Sequence, residues 1–246
     1  MPKHKSLDHM VSDWINHWNN GSMAKFQVNH PHIKLEEHYD KYILGRKKAK
    51  IFVPLCGTMF DMYCLADKGH EIVGIECSDL AIKTFFSKHK LHYHQEHCGD
   101  VKGTLYKSDD GKIKIYCCDL FDFKLHLEGK FDVILDFGSM GAIQKEDLQP
   151  YADMMKRLMG DNCRHILECF VYDTNKYSDC HPNCFSLNDL QALFGDCCSV
   201  EKIDEGPNPY EDECLTSEET NYQDNSFQQV YPQITGTAYF LIKPKV

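Results

Sequence analysis

Arginine is nearly missing from this chain. Its 246 residues include only Arg46, Arg157 and Arg164, and acidic residues outnumber lysine plus arginine 37 to 27, for a net charge of -10. Such a balance argues against nucleic acid or an anionic membrane surface as the main partner. Long apolar runs are also missing: nothing approaches the roughly 20 residues that would span a bilayer. The opening stretch "MPKHKSLDHMVSDW" lacks the apolar core of a secretory leader, so a cytoplasmic location is expected. No CxxC pair occurs, although there are 13 cysteines. The odd count leaves at least one unpaired, and reduced thiols are expected throughout. "CHPNC", Cys180 to Cys184, has no second pair to complete a zinc site. "KHKLHYHQEHCGD" gathers four histidines at irregular spacing among hydrophilic neighbours, which predicts a solvated loop and no metal.

What is present is an alternation. Residues 7 to 46 predict amphipathic helix, with Trp14 and Trp18 four apart on one face. Such a pair is most often a core stripe, and a cofactor wall is the sharper alternative. From Lys50 onward, strands and helices take turns. "KIFVP", "HEIVGIE", "GKIKIYCCD", "KFDVILDFG", "RHILECFVY", "CSVEKID" and "TAYFLIK" read as strands. "MFDMYCLADKG", "SDLAIKTFFSKHK", "QPYADMMKRLMG" and "LNDLQALFG" read as helices, closed by Gly69 and Gly160 and opened by Ser78 and Asp79. Apolar central strands alternating with helices predict an α/β fold, a doubly wound and mostly parallel sheet. From Asp204 to Asp224 there are acidic residues and no basic one, which predicts a long exposed loop.

In such sheets ligands bind beyond the carboxyl ends of the strands. Those ends carry Leu55 and Gly57, then Glu76, then Asp119 and Leu120, then Asp136. Glu76 follows Gly57 by about the spacing that places a ribose-binding acid in dinucleotide folds. The turn in "IFVPLCGTMFDM" has one glycine, however, whereas a pyrophosphate laid on backbone amides needs several. S-adenosyl-L-methionine carries adenosine without phosphate, plus a cationic sulfonium and an amino-acid tail. An acidic rim suits it, with Glu76 on the ribose, Asp119 accepting from the adenine amino group, Leu120 against the ring and Asp136 near the cationic end. A nicotinamide-dependent oxidoreductase on the same sheet is the rival class.

"WINHWNNGSMAKF", "FVPLCG", "LADKGHEIVGIECSDLAI", "YCCDLFDF", "GKFDVILDFGSMGAI", "YADMM" and "VEKID" together resemble the thiopurine S-methyltransferase family, from Trp14 to Asp204 and again in the final strand. The resemblance implies a class I, Rossmann-like methyltransferase with a seven-stranded sheet, its last strand antiparallel, and N-terminal helices capping the cofactor. It implies a single domain over residues 1–246, with a helical cap at 1–48, a core at 49–204, an acidic insertion at 205–234 and the final strand at 235–246. It places Trp14 and Trp18 in the cap and Phe26 toward the substrate. It gives Leu55 to the methionine part, Glu76 to the ribose, and Asp119 and Leu120 to the adenine. No catalytic side chain and no metal are implied. The partner would be a small aromatic or heterocyclic thiol, and the enzyme a monomer. The sequence departs from the family where an arginine should follow Asp136: here stands Phe137. The family's F-H-Q is replaced by "FQV", and no arginine follows Arg164. A neutral acceptor is therefore expected in place of an anionic one. A relative that binds the cofactor with a lost or altered acceptor is the alternative.

Overall fold

The computed structural model describes residues 5–23, 27–177, 182–207 and 233–245. The chain falls into two compact units, Met1–Ile134 and Leu135–Val246. The first opens with α1 (Lys5–Asn19), which ends ahead of Gly21 at a left-handed φ of 78°. The continuous helix expected to residue 46 is broken. Pro31 disfavours helical backbone at His30, and His32 caps a new short helix, α2 (Ile33–Glu37), its ring accepting from the Lys34 amide at 3.2 Å. A third, α3 (Tyr39–Ile43), stops at Leu44 in left-handed conformation. Glycine and proline thus override a helical apolar period.

Strand and helix then alternate as the sequence predicts: β1 (Lys50–Val53), α4 (Phe60–Asp67), β2 (Glu71–Glu76) and α5 (Asp79–Lys88). Ser78 caps α5 by accepting from the Ala81 amide at 3.2 Å. Next come β3 (Tyr93–Cys98), β4 (Gly103–Ser108), β5 (Ile113–Cys117), α6 (Leu125–Glu128) and the start of β6 (Phe131–Phe137). The strand order is β3-β4-β5-β2-β1-β6. The neighbours β5, β2, β1 and β6 are parallel, and β3, β4 and β5 are antiparallel. β1 and β2 are buried along nearly their whole length, as strands covered on both faces must be. Phe52 of β1 meets Phe123 and Phe131 at ring separations of 5.6 and 5.0 Å.

The hairpin β3–β4 corrects the reading of "KHKLHYHQEHCGD" as a loop. Among the described residues β3 lies at the sheet edge and pairs only with β4, and four of its six residues stay exposed. Histidine, glutamine and glutamate are at home there, and no apolar alternation announces the strand. Its histidines are dispersed, with His89 closing α5 and the His94 ring 3.1 Å from Glu96. The described residues hold nine strands where the sequence suggested seven.

The second unit holds the end of β6, then α7 (Ser139–Ala142), α8 (Leu148–Leu158), β7 (Met159–Val171), α9 (Leu187–Phe194), β8 (Cys198–Gly206) and β9 (Gly236–Pro244). β9 lies between β7 and β8 and is antiparallel to both, as expected of the last strand. α8 ends two residues before Gly160, which belongs to β7. Of the acidic stretch, Asp204 and Glu205 lie in β8, and residues 208–232 fall outside the described residues, as does Cys180. No described helix is long and apolar enough to cross a membrane.

One ionic cluster ties strands to helix in the first unit. Glu128, its side chain 3 % exposed, accepts from Lys50 and Lys114 at 2.8 Å each and from the Tyr116 hydroxyl at 2.8 Å. Burial alone would raise its pKa, but Lys114, Lys50 and Tyr116 outweigh burial and hold it below the ordinary glutamate value. A depressed folded-state pKa contributes stability that is present above the unfolded pKa of about 4.3 and lost as pH falls through the folded value. Urea unfolding of Glu128→Gln should therefore show a shallower fall in stability than the parent between about pH 5 and pH 3. Equal slopes would mean that the cluster does not contribute to acid sensitivity.

Candidate functional site

β1 lies between β2 and β6, so the chain leaves it for neighbours on opposite sides at different points in the sequence. This is the switch point at which open α/β sheets bind ligands. The turn that follows β1 is Pro54-Leu55-Cys56-Gly57-Thr58. Leu55 takes a left-handed φ of 44°, uncommon for a side-chain-bearing residue and a form of strain that clusters at functional sites.

Every amide from Cys56 to Met59 already has a protein acceptor. Cys56 N–H donates to the Ile75 carbonyl at 2.8 Å, and Met59 N–H to the Cys56 carbonyl at 3.0 Å. Gly57 N–H donates to the Glu76 carboxylate at 3.0 Å. Thr58 N–H and its hydroxyl donate to the Gln27 side-chain carbonyl at 3.0 and 2.7 Å. A phosphate would find none of these donors available. The fold-back is possible because Gly74 of β2 has no side chain: a Cβ there would lie 2.7 Å from the Cys56 sulfur.

Glu76 is 5 % exposed. Besides Gly57 it accepts from the Ser78 amide at 2.8 Å and from the Cys77 thiol at 3.4 Å. Burial raises its pKa, and the donors from Ser78, Cys77 and Gly57 pull against that rise. An ionised carboxylate offers about four acceptor positions, so Glu76 retains capacity for a hydroxyl. The surrounding thiols are held protonated. Burial and the nearby Glu76 push Cys56 and Cys77 up, and burial with Asp79 pushes Cys117 up to about 11.

Trp18 of α1 comes over the turn. A Cβ on Gly57, which has a φ of 49°, would lie 3.3 Å from the Trp18 ring and 3.1 Å from the Gln27 carbonyl oxygen. Any side chain there would be strained and crowded. Trp14 is half-buried, its ring 5.9 Å from that of His17. Phe26 falls outside the described residues. Asp119 accepts from the Phe121 amide at 3.0 Å, starting a 3₁₀ turn in which Leu120 is buried.

In the second unit Asp136 is fully buried. One of its oxygens accepts from the Ser139 hydroxyl and, at 2.9 Å, from the Met140 amide. The other lies 2.6 Å from the Tyr151 hydroxyl and 3.3 Å from His165 Nε2. That uses about all the acceptor positions a carboxylate has. Phe137, the next residue, ends β6 half-buried.

Sequence reasoning missed Gln27. Its partner is 31 residues away, and a lone glutamine beyond a helix carries no local signal. Ser78 was legible as a cap, but its amide bond to Glu76 was not.

Solved structures share this fold at low identity. Over 100 % of this chain and 93 % of the other, it superposes with a TM-score of 0.59 and 12 % identity on 1,6-didemethyltoxoflavin-N1-methyltransferase of Burkholderia thailandensis, bound to S-adenosylhomocysteine. Magnesium protoporphyrin IX methyltransferase of Synechocystis, with bound SAM, gives 0.58 at 10 % identity over 95 % and 97 % of the two chains. The fold is therefore that of the class I methyltransferases. Sequence similarity goes further. Residues 9–226 match the family model described as thiopurine S-methyltransferase. A probable thiopurine S-methyltransferase of Danio rerio is 38 % identical, over 78 % of this chain and 83 % of its own length. The Bos taurus thiopurine S-methyltransferase is 34 % identical, over 81 % and 80 %. This chain belongs to the thiopurine S-methyltransferase family.

Proposed function

We propose that this protein transfers a methyl group from S-adenosyl-L-methionine to a small, neutral aromatic or heterocyclic thiol, acting as a cytosolic monomer. The observation that carries the cofactor assignment is the turn after β1, whose amides from Cys56 to Met59 are engaged by protein acceptors while the buried Glu76 beside them keeps acceptor capacity. That combination fits an adenosine cofactor without phosphates. When bound, it supplies an electrophilic methyl group on a sulfonium. Glu76 would accept from the ribose hydroxyls, with Leu55 and Gly57 along the methionine part. Asp119 and Leu120 would take the adenine, and Trp14, Trp18 and Phe26 would wall the site. Asp136, its acceptor positions used, serves by fixing the strand end that bears Phe137. The described cysteines are all free thiols, in keeping with a reducing compartment.

Transfer to a thiol forms a carbon–sulfur bond as the old one breaks, so the protein's task is alignment and exclusion of water more than chemistry. A free thiol of pKa about 8.5 is a few per cent thiolate at neutral pH and strongly nucleophilic. No protein base or nucleophile is needed. The protein's own thiols near Glu76 stay protonated, so they do not compete as acceptors. Phe137 offers an apolar face where an arginine would attract an anion.

Two outcomes test this reading. S-adenosylhomocysteine at 1 mM should raise the melting temperature of the parent, because a ligand selective for the folded state stabilises it. Glu76→Ala should lose most of that shift, with Kd by calorimetry rising about 10- to 100-fold, the worth of a hydrogen bond to a charged group. Unchanged affinity would remove Glu76 from the site. On the acceptor side, a neutral aryl thiol should show kcat/KM at least about tenfold above its carboxylated analogue, and Phe137→Arg should narrow or reverse the ratio. Faster turnover of the carboxylated thiol by the parent would sink the acceptor assignment.

A further inference from the structure

Gln27 has no assigned part in this site, yet its side chain links the segment after α1 to the turn after β1. Its carbonyl oxygen accepts two hydrogen bonds from one residue, Thr58, which is 2 % exposed. The same oxygen and the Trp18 ring flank Gly57 within 3.1 and 3.3 Å of where a Cβ would stand. A second anchor follows five residues later, where the His32 amide donates to the buried Asp61 carboxylate at 2.8 Å. The segment is thus pinned at both ends to the start of α4 and the turn before it.

We infer that Gln27 is a positioning residue for the cofactor: its side-chain carbonyl latches the capping segment onto Thr58 and so holds Trp18 against the Gly57 turn. The inference rests on that turn receiving the methionine part of the cofactor. The chemistry asks for an acceptor at this place. Thr58 presents two buried donors to one point, and donors left unmet in a buried site are costly. Glutamine reaches that point and stays neutral beside the buried Glu76. A leucine of similar size would fill the space without accepting either bond, and a glutamate would accept both.

The test compares Gln27→Leu, Gln27→Glu and Glu76→Ala with the parent. Readouts are S-adenosylhomocysteine affinity by calorimetry and intrinsic fluorescence, Trp14 and Trp18 being the only two tryptophans. Gln27→Leu should weaken binding by about tenfold and shrink the fluorescence change at saturation, because Trp18 is no longer held to the turn. Gln27→Glu should recover affinity to within about threefold of the parent and restore the fluorescence change. A Gln27→Leu protein that binds within threefold of the parent with a parental fluorescence change overturns the latch, provided Glu76→Ala has lost affinity. A Gln27→Glu protein as weak as Gln27→Leu both at about pH 7.5 and at about pH 5.5, where protonation relieves repulsion from Glu76, also overturns it, since the accepting oxygen would then not be what matters. If Glu76→Ala and Gln27→Leu both bind like the parent, the placement of the cofactor on this turn falls, and the latch with it.

Discussion

The carboxylate of Glu76 joins three pieces of backbone that would otherwise part company. One oxygen takes the Gly57 amide from the turn after β1, and the other takes the Ser78 amide at the start of α5. Because β1 and β2 are parallel neighbours, their carboxyl ends arrive side by side, and a single acid at the end of β2 can bind both. Each amide bond to a charged acceptor is worth about 1.5–3 kcal/mol, which opposes the cost of keeping a carboxylate 5 % exposed. The turn is therefore shaped before any ligand arrives. Preorganisation of that kind lets binding energy be used for orientation.

This economy of donors also decides which cofactor chemistry fits. Dinucleotide folds turn free amides at a helix start toward a pyrophosphate, and glycines let the phosphate approach. Here the equivalent amides point to Ile75, Glu76, Gln27 and Cys56. The side chains of Leu55, Cys56 and Thr58 fill the space that glycines would leave open. The net charge of -10 and the dearth of arginine make the same point at the scale of the molecule. A cationic sulfonium meets no electrostatic objection in such surroundings, whereas a string of phosphates would.

Much of this was legible in the sequence because it follows from local rules. The strand ends, the Ser78 cap and the single glycine of the turn are all read from neighbours in the chain. The illegible parts are those settled by distant partners or by position in the sheet. The polar strand β3 exists because β4 offers it an edge, and no period-2 apolar pattern records that. The break between α1 and α2 follows from Gly21 and Pro31, signals that a long amphipathic pattern obscured. Gln27 acts across 31 residues of chain, where sequence spacing carries no information. The substitution of "FQV" for F-H-Q was visible, but only the fold shows that this glutamine reaches Thr58.

The two strand-end acids make the limit of such reading plain. Glu76 and Asp136 carry the same signature in sequence, a carboxylate at the end of an apolar strand beyond which a ligand could sit. They differ in what their own chain has already given them. Asp136 has two donors on each oxygen, from Ser139 and Met140 on one and from Tyr151 and His165 on the other, and it is fully buried. The other ring nitrogen of His165, Nδ1, has no hydrogen-bond partner among the described residues. A carboxylate so filled orders the chain around it, and Phe137 inherits that order as the next residue. Glu76 receives two amides and a weak thiol donor, so part of its capacity remains. The position of an acid nominates it for a site, and the count of donors it already holds sets how much acceptor capacity it keeps for a ligand.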